Sequence, residues 1–378
     1  MFTPSRLTLA RKRRGLTAVG LARQAGVTAQ SISNYERGRQ QPSPETLERI
    51  AEELGFPVTF FDQGDIDEID VALVSFRARS KITATARDAV LSAARLALEL
   101  NSIMESHFRL PSPDIPTLER QTPEQAAEHV RARWGIGEIH AAPNMVHLLE
   151  AHGVRVFSLP PEYSDVDAFS MWRRGIPFVF LNTMKTGERG RFDAAHELGH
   201  LVLHGASDDA DWSRDCEREA NLFASAFLMP QASMRSRMRS NPTTDQIIRA
   251  KKYWSVAAAA LAYRLGDLGI LSEWSFRRVI IELGRMGYRK GEPAGIPRET
   301  SQLLEKVFRG LRGKGISPHS LARDLHTTPA ELTKYVFGLV MTAVEDPAPP
   351  ASALLPVTTE QDRQPKLRLV SSNGRMAN

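Results

Sequence analysis

The chain has 378 residues, 42% of them hydrophobic and 25% charged, with a formal net charge of +5 and a single cysteine. That balance predicts an ordinary soluble globular protein with room for two or three domains. It excludes a disordered chain and an intramolecular disulfide, and the longest uncharged apolar run, VAAAALAY (256–263), is too short to cross a bilayer. The basic start MFTPSRLTLARKRR has no apolar stretch behind it, so no secretory leader is expected, and one cysteine fits a reducing cytoplasm.

Residues 5–62 read as short helices separated by glycine, threonine and proline. Gly15 ends a first, basic helix. Thr17 caps a second that turns Leu21 and Ala22 inward, and Gly26 follows it, where a tight turn needs positive φ. Thr28 caps a third helix over 29–36, closed by Gly38. Ser43 and Pro44 open a fourth, with Leu47, Ile50 and Leu54 as its apolar stripe. Helix, glycine turn, helix is the arrangement that lays its second helix in the major groove of DNA.

The run NYERGRQQPSPETLERIAEEL carries a resemblance: residues 5–62 are similar to the XRE-type, lambda-repressor-like DNA-binding domain. The resemblance implies a double-stranded operator as partner. Gln30, Ser33 and Asn34 would face base edges, and Arg37 and Arg39 would touch phosphate. Paired half-sites make a homodimer plausible. One position departs from the family, which places Gln directly after the cap of the second helix; Ala18 stands there, which removes one expected contact. Arg11 and Glu36 are read as a structural ion pair. The rival reading is a plain four-helix bundle used for dimerisation or docking.

The acidic run DQGDIDEID (62–70) reads as a solvated linker. ARDAVLSAARLALELNSIMESHF (86–108) is predicted to be one long amphipathic helix. A proline-rich loop, LPSPDIPTLERQTP, follows. Helices are predicted over 122–136, capped by Thr122, and over 144–153. Then short alternating segments, 154–160, 167–172 and 177–182, read as strands, with RRGI as a hairpin turn between the last two. The fold class expected is α+β, mostly α. The expected divisions are a helix-turn-helix domain at 1–62, linker and long helix at 63–120, a metallopeptidase-like domain at 121–235, a helical region at 236–342 and a disordered tail at 343–378.

Residues 191–205, RFDAAHELGHLVLHG, set three histidines and an acid into an apolar helical run. Residues four apart share a helix face, so His196 and His200 point the same way and can both reach Zn²⁺. Glu197 sits one step round, placed to meet a water on the ion as a general base; this is the HExxH pattern. The motif alone is weak, so a third ligand is needed. In CEREANLFASAFLMP (216–230), Glu217 can complete a His₂Glu set that leaves a fourth position open, and Glu219 is its rival. His204 extends the stripe, too far along a straight helix to be a third ligand, and is read as packing or outer-shell support. Cys216 is read as a buried spectator.

RFDAAHELGHLVLH followed by EREANLFASAFLMP, with DAFSMWRRGIPFVFLNTMKTGERGRFDAAHELGH upstream, resembles the ImmA/IrrE family of zinc metallopeptidases over residues 70–340. The resemblance implies a gluzincin site: His196, His200 and Glu217 as ligands of Zn²⁺, and Glu197 as base. Related gluzincins often carry Asp where Asn221 stands, orienting the first histidine; Asn can accept the same hydrogen bond without the charge. The substrate peptide is expected along an exposed strand, 167–172 or 177–182. Tyr253 and Tyr263 are the candidates for an oxyanion donor.

Two further segments, 251–274 and 316–339, read as helix-turn-helix-like, with Ser317–Pro318 and Thr328–Pro329 as starts; packing against the protease is expected of them in preference to DNA binding. The function expected is a DNA-binding regulator whose zinc endopeptidase domain cleaves a repressor or antitoxin-like protein. The alternatives are a transcription factor whose metal site senses a ligand or partner without turnover, and an antitoxin-like protein-binding module.

Overall fold

A computed structural model describes residues 1–66, 68–69, 75–76, 83–205, 214–289 and 291–340. The first four helices are α1 (Pro4–Arg13), α2 (Ala18–Ala25), α3 (Ala29–Glu36) and α4 (Pro44–Leu54). Their starts are fixed by side chains that satisfy otherwise unpaired amides: Thr17 accepts from the amide of Gly20, Thr28 from Ser31 and Ser43 from Thr46. Gly26 and Gly38 adopt φ of 65° and 67°, the left-handed turns that a side chain would strain. Leu7, Leu21, Ile32, Ile50 and Leu54 are fully buried between the helices. Arg11 grips Glu36 through two hydrogen bonds of 2.6 and 2.9 Å, as expected.

The acidic run departs from a solvated linker at its start. Thr3 donates to the carbonyl of Gln63, Arg6 to that of Gly64 and Arg95 to that of Ile66, so residues 63–66 are tied to neighbouring helices. Helix α5 (Ala84–His107) also differs from expectation. It is buried on every side from Ala89 to Ala97, so it has no solvent face there. Ala89, Ala93, Ala94 and Ala97 are small enough for neighbours to close on all sides, a situation that apolar spacing alone does not distinguish from one-sided burial.

Helices α6 (Pro123–Arg133) and α7 (Met145–Ala151) lead into the sheet, and Thr122 with Gln125 forms a reciprocal cap on α6. The strands are β1 (Ser75–Phe76), β2 (Arg155–Ser158), β3 (Ala168–Arg173) and β4 (Ile176–Leu181), in the order β1-β3-β4-β2. β3 and β4 form an antiparallel hairpin whose turn is only Arg174 and Gly175, both at positive φ, the twist that suits a two-residue hairpin. β2 lies parallel to β4. This corrects the strand expected to take a substrate: β4 is interior, and the outer edge of β3 is already paired with β1 at Ser170 and Phe169.

Helices α8 (Gly187–Leu203), α9 (Arg214–Leu228) and α10 (Gln231–Arg237) follow. α8 lies against β3 and β4 on one side and α9 on the other. Beyond them are α11 (Thr244–Trp254), α12 (Ala258–Asp267), α13 (Glu273–Arg285), α14 (Gln302–Gly313), α15 (Pro318–Asp324) and α16 (Pro329–Val336). The turn after α11 is made by Ser255 at φ 55°; the glycine turn of that stretch, Gly269, comes later, between α12 and α13. The fold is α+β and mostly α. The expected disordered tail lies outside the described residues. No helix among the described residues is long and apolar enough to cross a membrane.

Candidate metal centre and DNA-reading face

α8 is buried almost along its whole length, and His196, Glu197 and His200 are 0–1% exposed. What brings α9 onto it is Gly199. A Cβ there would stand 3.1 Å from the Phe223 ring and 3.2 Å from the Ala220 Cα, so α9 seats that ring and its Ala220 backbone against a point of α8 that carries no side chain. That close approach sets Glu217, one turn before Ala220, over the two histidines.

The distances suit one ion. His196 Nε2 and His200 Nε2 lie 3.0 Å apart, Glu217 Oε2 is 3.5 Å from the first and Glu217 Oε1 is 3.3 Å from the second. Ligands at about 2.0–2.1 Å from a tetrahedral cation stand about 3.3 Å from one another. The three residues form a group of donor atoms all within 4.8 Å. Burial would lift the carboxyl of Glu217, but hydrogen bonding to His196 and His200 outweighs it and holds the group well below the ordinary carboxylate range. An ionised carboxylate and two imidazoles facing inward at this spacing fit a divalent metal.

Glu219 does not join them. Its Oε2 lies 3.0 Å from His204 Nε2, and His204 Nδ1 is 3.2 Å from His200 Nδ1. Glu219 and His204 thus stand behind His200, in the position from which a carboxylate and a hydrogen-bonded ring orient a ligand. The side-chain amide of Asn221 donates to the carbonyl of Glu217 at 2.8 Å, within its own helix. Cys216 is partly exposed, which corrects the expectation of burial.

Glu197 has a partner that the sequence reading missed. Ser170, on β3, donates its hydroxyl to Glu197 Oε2 at 2.7 Å. The signal was a lone hydroxyl in the apolar strand AFSMW, but nothing local says what it faces. The two tyrosines proposed as oxyanion donors are engaged elsewhere. Tyr253 donates to the carbonyl of Ile139 at 3.2 Å, and Tyr263 is 56% exposed and stacks edge-on with Phe276.

At the other end of the chain, α3 turns Ile32 and Tyr35 into the core. Gln30, Arg37 and Arg39 are exposed, and Ser33 and Asn34 are half-buried on the same outward side. Gln30 donates to the Asn34 side chain at 3.0 Å, which links two of the expected base readers.

Residues 149–266 match the family model described as the IrrE N-terminal-like domain, a peptidase family, and residues 7–61 match the helix-turn-helix model. No curated protein matches the chain significantly. The peptidase-family match begins in α7, takes in β2, β3, β4 and the histidine helix but not β1, and runs on to α12. The chain therefore joins an XRE-type helix-turn-helix domain to an IrrE/ImmA-like metallopeptidase-family domain.

Proposed function

We propose that this protein is a cytoplasmic DNA-binding transcriptional regulator whose second domain is a zinc endopeptidase acting on a partner protein, a repressor or antitoxin-like chain. The carrying observation is the triangle of His196, His200 and Glu217, with the residue after the first ligand, Glu197, buried and held by Ser170. His196, His200 and Glu217 would hold the ion. Zn²⁺ would supply Lewis acidity, polarising a scissile carbonyl and acidifying water. Glu197 is the base: its buried carboxylate takes a proton from water and passes it to the leaving amine, while Ser170 fixes one of its oxygens. His204 and Glu219 hold His200 in orientation. The helix-turn-helix domain would bring this chemistry to a repressor already seated on its operator.

The test is metal content and cleavage for wild type and Glu197→Gln, incubated with co-encoded repressor proteins. The variant should keep one metal per chain and lose cleavage; equal cleavage by both removes the assignment of the base. The second reading is a metal site that senses without turnover. It is favoured by one observation: β1 already pairs with the outer edge of β3 next to Ser170, where a substrate strand would lie.

A further inference from the structure

The last three helices of the described residues repeat the first three at an offset of 300 residues. α1 ends at Arg13 and α14 at Gly313; α2 and α3 begin at Ala18 and Ala29, α15 and α16 at Pro318 and Pro329. The caps correspond, Thr17 with Ser317 and Thr28 with Thr328. So do the positive-φ turns: Gly15 with Gly315, Gly26 with His326 and Gly38 with Gly338. The buried positions correspond as well, Leu7 with Val307, Leu21 with Leu321, Ala22 with Ala322, Ile32 with Leu332 and Tyr35 with Tyr335. Where Arg11 and Glu36 form an ion pair, Leu311 and Val336 are both buried, an apolar replacement at the same two places. Agreement in caps, backbone conformation and core at one fixed offset identifies a second helix-turn-helix unit.

Its would-be reading helix has changed occupation. Ala330, Thr333 and Lys334 stand where Gln30, Ser33 and Asn34 stand, and Phe337 and Leu339 replace Arg37 and Arg39, so both expected phosphate contacts are gone. In their place α16 and the residues after it hold protein from both domains. Glu331 accepts from Arg13 at 2.5 Å and Arg14 at 2.6 Å, both at the end of α1, with Arg13 and Glu331 side chains 0% and 1% exposed. Lys334 pairs at 2.9 Å with Glu162, whose same oxygen also accepts from Arg13 at 3.1 Å, Thr183 donates to the carbonyl of Phe337 at 2.9 Å, and Gly338 lets the chain pass so close that a Cβ would meet Thr183 at 2.9 Å. Glu162 and Thr183 belong to the peptidase-like domain. Burial alone would raise the carboxyl of Glu331, but Arg13 and Arg14 outweigh it and bring it down to about 2.

We infer that residues 301–339 are a second copy of the DNA-reading unit in which the reading helix has exchanged nucleic acid for protein, so that it staples the N-terminal reader to the peptidase-like domain. Hydrogen–deuterium exchange on the full chain tests this. Glu331→Arg should speed exchange by about ten-fold or more in α16, in residues 10–16 and in residues 181–186 together, because a buried charge pair is broken at a shared joint. Adding Arg14→Glu should slow it again. Where the arginine variant does not fold, Glu331→Gln, with the same size and one acceptor fewer, should show the same three-part pattern more weakly. A change confined to α16, or none, overturns the inference. A second arm uses a random-sequence DNA duplex titrated across salt: Lys334→Ala should leave affinity and salt slope as in wild type, and a fall in the slope by about one would make α16 a reader after all.

Discussion

Ser170 and Glu197 meet across 2.7 Å, the hydroxyl of a strand donating to the carboxylate of the histidine helix. The contact fixes one oxygen of the proposed base and so sets the direction of the other. Replacing Ser170 by Ala should leave zinc content unchanged while kcat/KM falls by about 10-fold, the scale on which supporting contacts around a metal site act. Ser170→Thr, which keeps the hydroxyl, should recover part of the loss. Loss of bound metal in Ser170→Ala would show that the strand supports the ligands and not the base.

The two glutamates of α9 should separate in a chelator competition. Glu217→Gln removes a donor from the triangle and should weaken zinc binding by more than about 100-fold, whereas Glu219→Gln removes only the support behind His204 and should cost about 10-fold. Equal effects would contradict the assignment of Glu217.

Gly199 is the third lever. Any side chain there meets Phe223 and the Ala220 backbone, so α9 must move outward. Gly199→Val should destabilise the fold by about 1–3 kcal/mol, as overpacking does, and weaken metal binding because Glu217 travels with α9. The checks are thermal melting and metal titration; a variant that melts lower yet binds zinc as wild type would separate packing from the site.

Glu150 gives the protein a pH dependence of its own. It is 4% exposed, accepts from the hydroxyl of Ser301 and from the amides of Gln302 and Leu303, and so caps α14. Burial outweighs these hydrogen bonds and lifts its carboxyl to about 7. Because the folded value lies above the unfolded one, its contribution is fully present below about pH 4.5 and is lost as pH rises through 7, up to roughly 3 kcal/mol. Glu150→Gln should flatten denaturant stability between pH 5 and 8 relative to wild type. Parallel curves for the two proteins would remove Glu150 as the source.

Much of this was legible in the chain because it is local. Thr17, Thr28 and Ser43 announce helix starts through their own amides, and the four-residue step from His196 to His200 fixes a shared face. Glu217 could be found because its helix follows closely and carries the small residues that let it approach. What was not legible joins distant positions. Ser170 lies 27 residues from Glu197, and no periodicity says which helix a strand will cover. Arg13 and Glu331 are 318 residues apart. Helix α5 was legible as a helix, but whether apolar spacing means one buried side or all of them depends on neighbours that arrive later in the chain. Glu217 and Glu219 sit two residues apart on one helix, and only the placement of α9 decides which of them turns to His200 and which to His204.

The depth of the histidine pair has a practical result. Among the described residues of that group, only Glu217 keeps part of its side chain, 33%, in contact with solvent. On the proposed peptidase function, histidines this deeply buried favour a slack, unravelled stretch of polypeptide over a rigid folded surface. A victim would then be chosen first for its looseness and only afterwards for its residues.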